Sequence, residues 1–225
     1  MQRRQFLRST GAVGVGVGLA GCSAVAGLGD PNPDVVLDEP DRQFDSADVP
    51  YPAWGERVPD VTLGAPLEGR ELRVRDVGRP ALLTFFYSHC NTVCPVLIST
   101  LRNVQAHARN EGYADAVSIM PVTFDPERDT ADRLRTYADE MNVVADGTSW
   151  HFLRPASRER AKAVVADEFG VAFERTHPED MDMYMFTHAA MTLLVNADGY
   201  VERAYRSKSP DQGRILADLE TVRTA

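Results

Sequence analysis

The sequence predicts an α/β domain entered through a β-hairpin and carrying one inserted helix. Three observations lead there. Short, β-prone apolar runs alternate with stretches of helical spacing. The central run, Leu82 to Tyr87, turns through Cys90 and Cys94 directly into helical spacing from Val93 to Val104. Late in the chain, Ala197-Asp198-Gly199 joins two β-prone runs as a hairpin turn.

Taken in order, Val58 to Leu63 and Glu71 to Val77 alternate apolar and polar residues around Gly64 to Gly69, the pattern of a hairpin. Leu82 to Tyr87 is short, bounded and apolar, as a buried central strand should be. A helix is expected from Thr92 to Asn110, with Gly112 behind its end. Ala116 to Val122 follows as a strand, and the polar turn Thr123 to Thr130 feeds a helix running to about Met141. Trp150 to Leu153 is a short strand, and Ser157 to Phe169 a helix stopped by Gly170. Met185 to Val195 and Tyr200 to Tyr205 are strands, and Asp211 to Val222 is a last amphipathic helix. This order resembles the thioredoxin-like layout, with the N-terminal β-hairpin and the inserted helix as additions. The domain is read as residues 58–225.

The 225 residues suffice for one domain, a leader and a tether. The 33 acidic side chains outnumber 24 basic ones, for a net charge of -9. That balance offers no basic stripe and argues against nucleic-acid binding. Lys162 and Lys208 are the only lysines, an acidic, lysine-poor pattern that suggests a high-salt setting. Residues 1–21 read as a targeting segment. Arg3-Arg4-Gln5-Phe6-Leu7 resembles a twin-arginine signal, and Gly11 to Ala20 is too short for a confident membrane span. Leu19-Ala20-Gly21-Cys22 resembles a lipobox. That resemblance implies cleavage before Cys22, lipidation of Cys22, and a folded domain held on the outer face of the cytoplasmic membrane. Residues 22–57, rich in Gly, Pro and Asp, are expected to be a flexible tether.

Cys90 and Cys94 dominate the chemistry. Side chains four apart on a helix share one face, with Cβ atoms roughly 5–6 Å apart. Two such sulfurs can hold one metal ion, or close into a disulfide after a small adjustment. The helix N-terminus favours thiolate over thiol. The alternative is a pair of buried structural cysteines. Thioredoxin-like enzymes place a proline, usually cis, before the final hairpin and facing the cysteines. This chain instead has Phe186-Thr187-His188-Ala189-Ala190, with His188 in that place. Two thiolates and an imidazole form a donor set suited to copper.

At these residues the chain resembles the Sco/SenC family, copper-binding thioredoxin-like proteins that help assemble the dinuclear copper centre of cytochrome c oxidase. The resemblance rests on Phe85 to Pro95 (FFYSHCNTVCP), Asp125 to Thr130 (DPERDT), Trp150 to Leu153, and His188 ahead of Leu193 to Gly199, and spans about Val58 to Ala225. It implies one copper ion per domain on Cys90, Cys94 and His188. It also implies a copper-accepting oxidase subunit as partner, with the membrane reached through the lipid anchor. Asn91 departs from the proline that the family often has between its cysteines, and a lipobox stands where many relatives use a transmembrane anchor.

Asp125, at the end of a strand, reads equally as a carboxylate tuning the metal site from behind its ligands and as a turn residue. Glu127, Arg128 and Asp129 read as a helix-start surface. His89 should point away from Cys90 and is not counted as a ligand. His107, His151 and His177 have no placed partner. Met181, Met183 and Met185, with Met191 beyond, either pass copper on through thioethers or simply fill space.

Two functions compete: copper delivery by ligand exchange, and thiol–disulfide exchange that keeps the oxidase's copper-site cysteines reduced. In the second, Cys90 attacks and Cys94 resolves. His188 in place of proline favours the first. A sensor would use the same residues. A peroxiredoxin-like site would need proline and threonine where the chain has Tyr87 and Asn91.

Overall fold

Alternating apolar runs and helical spacing become a mixed four-stranded sheet in this computed structural model, which describes residues 34–179 and 181–225. The chain runs through Thr62–Ala65 (β1), Arg70–Arg73 (β2), Ala81–Phe86 (β3), Val93–Asn110 (α1), Ser118–Thr123 (β4) and Ala131–Glu140 (α2). It continues through Arg158–Ala161 (α3), Phe173–Thr176 (β5), Met185–His188 (β6), Thr192–Val195 (β7), Val201–Tyr205 (β8) and Gln212–Thr224 (α4). The main sheet has the order β4-β3-β7-β8. Strand β3 lies parallel to β4 and antiparallel to β7. All six residues of β3 are buried, as an inner strand with no polar face requires. The class is α/β and the fold thioredoxin-like, as the element order predicts.

The expected helix over Thr92 to Asn110 is α1, and the turn at Ala197-Asp198-Gly199 joins β7 to β8, with Gly199 at φ +85. Four readings are corrected. The entry hairpin is shorter and sits nearer its turn, because Val58 and Val61 are buried in irregular chain instead of paired in a strand. Trp150 to Leu153 makes only isolated parallel bridges, to Ile119 and Val122. The Ser157 helix is α-helical for one turn and then widens into a π-helix over Lys162–Glu168.

The fourth correction matters most. Met185 to Val195 is not one strand. β6 pairs with β5, a partner the sequence reading did not foresee, and β7 pairs with β3 in the main sheet. Between them the chain changes sheets. The Ala189 N–H donates to the Ala172 carbonyl at 2.9 Å, and the Thr84 hydroxyl to the Met191 carbonyl at 2.8 Å.

From Asp34 onward the expected tether is also corrected, since it packs as a strap on the domain. Leu37, Tyr51 and Trp54 are buried, and the Trp54 indole N–H donates to the Leu37 carbonyl at 2.8 Å. The carboxylate of Glu202, buried on β8, accepts from the Val36 and Leu37 N–H groups, each at 2.9 Å. The twin-arginine pair, the lipobox and Cys22 lie outside the described residues. Among the described residues no helix is long and apolar enough to cross a membrane.

Candidate metal centre

Strand β3 ends at Phe86, and the chain turns through Tyr87 to Thr92 before α1 begins. Pro95 falls in the first turn of α1, where a missing N–H costs nothing. Thr92 stands at the N-cap without a side-chain cap bond. The sulfur of Cys90 takes that role, accepting from the Cys94 N–H at 3.5 Å. One cysteine thus closes the helix entrance that carries the other, in the partial positive charge of the helix N-terminus.

His188 ends β6, 94 residues beyond Cys94, and its Nε2 lies 3.3 Å from the Cys94 sulfur. Its Nδ1 lies 3.0 Å from the Ala189 carbonyl. A carbonyl only accepts, so Nδ1 carries the proton and Nε2 presents its lone pair to the sulfurs. The ring stands against two aromatic neighbours, with centroids 5.1 Å from Phe124 and 6.2 Å from Tyr87. One donor atom from each of Cys90, Cys94 and His188 lies within 4.8 Å of the others. Both cysteines are free thiols. Two soft sulfurs and one neutral imidazole are the donors a thiophilic ion such as copper(I) selects.

The two sulfurs differ electrostatically. The hydrogen bond from Cys94, helped by Thr92, pulls the Cys90 pKa down to about 3. Burial, reinforced by the neighbouring Cys90, pushes the Cys94 thiol up. Cys90 is 8% exposed and Cys94 fully buried. The Thr92 hydroxyl sits 3.5 Å from the Cys90 sulfur, a contact the sequence reading missed. So was Tyr87, whose buried hydroxyl accepts from the Phe186 N–H at 3.2 Å and so ties the cysteine loop to β6.

Asp125 touches none of the three donors. Its carboxylate accepts from the Tyr184 hydroxyl at 2.8 Å and pairs with Arg128, whose NH1 group donates to the Tyr184 carbonyl at 2.9 Å. Asp125 therefore fastens the start of β6. Arg128 and Asp129 are not the solvated surface expected of them. Asp129 is fully buried and accepts from the backbone N–H and hydroxyl of Ser88 and from Thr123, bracing the turn ahead of Cys90. The only sequence signal for this was their place in the DPERDT run. His89 groups with Asp125 and Asp129 instead of with the donor triad, its Nδ1 3.8 Å from Asp129. His151 is buried against Glu68, and His107 and His177 pack beside Tyr113 and Tyr184. Met191 is buried, whereas Met181 and Met183 are exposed.

Of the triad, His188 alone is partly exposed, and the two cysteines lie beneath it. An open depression of about 580 Å³ beside it is lined by Thr92, Val93, Val96, Thr187, His188 and Lys208.

Fold and site together define a thioredoxin-like protein in which a dithiol faces an imidazole. The SCO1/SenC family model matches residues 68–224, and the chain belongs to that family. The SCO1 protein homolog of Bacillus subtilis is 24% identical over 148 residues, 65% of this chain and 72% of that protein. Against plant and vertebrate mitochondrial relatives the chain spans 34–51% of their length. Arabidopsis thaliana ScoI, solved with copper bound, is 23% identical, with a TM-score of 0.59 over 73% of this chain and 96% of that one. BsSco, a member of the Sco family of cytochrome c oxidase assembly proteins with an identified disulfide switch, gives 23% identity and a TM-score of 0.59. It covers 75% of this chain and 94% of that one.

Proposed function

We propose that this chain carries one copper ion on Cys90, Cys94 and His188 and delivers it to the dinuclear copper centre of a cytochrome c oxidase. The convergence of two sulfurs and a bare Nε2 within 4.8 Å carries the reading. Copper bound to the Arabidopsis relative and the oxidase-assembly role of BsSco support it. A copper-accepting oxidase subunit, approaching along the depression beside His188, takes the ion by exchanging its own ligands for these three. No bond to carbon changes and no electron need move. The leader pattern supports attachment by a lipid on Cys22 at the outer face of the cytoplasmic membrane. The test is titration of the reduced chain with copper(I) and copper(II). Loading should be one ion per chain and should be lost in Cys90→Ser and Cys94→Ser. It should weaken by at least about tenfold in His188→Ala, since a lost ligand removes more than an orienting partner does. Unchanged loading in His188→Ala would overturn the reading.

One observation favours a second role: the Cys90 sulfur is readily ionised while Cys94 holds its proton. Here the Cys90 thiolate attacks a disulfide in the acceptor and releases one of its sulfurs as a thiolate. Cys94 then displaces the second sulfur, leaving the acceptor with two thiols and this chain with a Cys90–Cys94 disulfide. His188→Ala separates the roles, because it removes a copper ligand and leaves both sulfurs able to exchange.

A further inference from the structure

A second cavity, of about 590 Å³, lies where the strap crosses the end of β8 and the start of α4. Four arginines line it: Arg42 from the strap, Arg203 and Arg206 from β8 and the turn after it, and Arg214 from α4. That cluster is out of keeping with a chain of net charge -9. Its carboxylates are Asp41, which is exposed, and Asp211, which is engaged in capping α4 by accepting from the Arg214 N–H at 3.1 Å.

Two of the guanidinium groups are held with a donor to spare. The Arg42 side chain is only 10% exposed. Its NH2 group is pinned to the Ser46 hydroxyl at 2.8 Å and to Glu39 at 3.2 Å. Its Nε is buried and has no hydrogen-bond partner among the described residues. The Arg203 side chain is 12% exposed, and its NH1 group donates to the Glu202 carbonyl at 2.7 Å. Its Nε is likewise buried without a hydrogen-bond partner, the nearest carboxylate oxygen, on Asp218, standing 3.9 Å away. A buried N–H left in this state carries a desolvation penalty, which a small rotation of the guanidinium toward a ligand oxygen in the cavity would relieve. Aromatic rings flank two of the four: Arg42 lies 5.6 Å over Phe44 and Arg206 5.1 Å over Tyr51, whereas the exposed Arg214 stands 3.8 Å from Asp218.

We propose that this cavity is an oxyanion site that takes a phosphate group. Guanidinium forks match oxyanions in geometry as well as charge. A tetrahedral phosphate has enough oxygens to be shared between arginines arriving from two separate stretches of chain, whereas a planar carboxylate is filled by one fork. The cavity is of a size that holds small ligands. The phosphate is either free or the diester of a lipid headgroup, and the strap forming one wall leads back towards the expected anchor at Cys22.

The experiment follows the arginine Nε–Hε resonances of the full chain while inorganic phosphate, or in a second arm glycerophosphoglycerol, is added. The Arg42 and Arg203 signals should shift saturably. Tighter binding of the diester assigns the site to a headgroup, and tighter binding of inorganic phosphate assigns it to the free ion. Arg42→Gln should weaken binding by about tenfold, on the scale of a lost charge-assisted bond. Arg135→Gln, a change at an exposed arginine on α2, should leave it unaltered. Should Arg42→Gln fail to fold, Arg42→Lys carries the test, since it keeps the charge but lacks the Nε donor and should show the same loss. Signals unmoved by either probe, or equal weakening by Arg42→Gln and Arg135→Gln, would overturn the proposal.

Discussion

Cys90 and Cys94 share one helix entrance, yet their sulfurs meet different surroundings. Cys90 receives hydrogen bonds from Cys94 and Thr92, and its pKa falls to about 3. Cys94 is sealed in the core, and burial holds its proton on. Alkylation needs a thiolate. In the reduced, metal-free chain, iodoacetamide should therefore modify Cys90 well before Cys94, as read by peptide mass mapping. The Cys90 rate should stay nearly flat between about pH 8 and about pH 6, whereas an ordinary thiol slows about tenfold per unit there. A tenfold fall per unit at Cys90 would refute this assignment. Both cysteines were legible from spacing alone, because four residues at a helix start fix their geometry locally. The inequality between them was not, since it depends on the hydrogen bond from Cys94 to Cys90 and on how deeply the finished fold buries Cys94. His151, with no partner legible in the sequence, is a packed structural residue. Its Nε2 lies 3.3 Å from the Arg79 guanidinium, which only donates, so Nδ1–H points to Glu68 at 2.7 Å. Burial favours this neutral form.

At the scale of elements, α1 announces itself by apolar spacing and by the glycine behind it, so the sequence suffices to place the dithiol. The β5–β6 hairpin does not announce itself. Phe173 to Thr176 is four residues long and half charged, and nothing local distinguishes it from a loop. Its register is set from outside. The Tyr184 ring lies between two guanidinium groups, 3.6 Å from Arg128 and 3.8 Å from Arg175, and its hydroxyl donates to the buried Asp125. Arg175 pairs in turn with Glu127, so the DPERDT turn clamps the hairpin that delivers His188. The run thus serves the site although it contributes no donor atom to the triad. Tyr184→Phe keeps the ring between its cations but strips one hydrogen bond from a buried carboxylate, a loss of about 1–3 kcal/mol. We expect copper affinity to fall by about tenfold, in the range for removing an orienting partner, while iodoacetamide still modifies Cys90 at its usual rate. Copper affinity equal to that of the unaltered chain would show that the clamp does not position His188.

For the whole molecule, the question is where the folded unit begins. Composition placed that boundary near Val58, because Gly, Pro and Asp between Cys22 and Glu56 show no periodicity. Periodicity reports regular secondary structure, and the strap has almost none. It is held by side chains that find partners far along the chain. Asn196 donates to the Asp34 carbonyl at 2.8 Å, Glu202 binds the backbone of Val36 and Leu37, and Trp54 is 6% exposed. Gly170 gives an independent reading of the same contact. It stops the π-helix at φ +65, and a Cβ there would meet the Pro50 carbonyl oxygen at 1.9 Å, so the strap lies directly on the one residue type that admits it. Two predictions separate a packed strap from a free tether. Trp54→Ala removes a buried indole and its hydrogen bond to Leu37, and should destabilise the chain by about 3–5 kcal/mol in chemical denaturation. A tryptophan on a solvated tether would change stability by no more than about 0.5 kcal/mol. Gly170→Ala should destabilise as well. If shortening the chain to begin at Val58 reduced that penalty, the part removed would be the clash with the strap. If the penalty persisted in full, it would belong to the left-handed backbone at Gly170 alone.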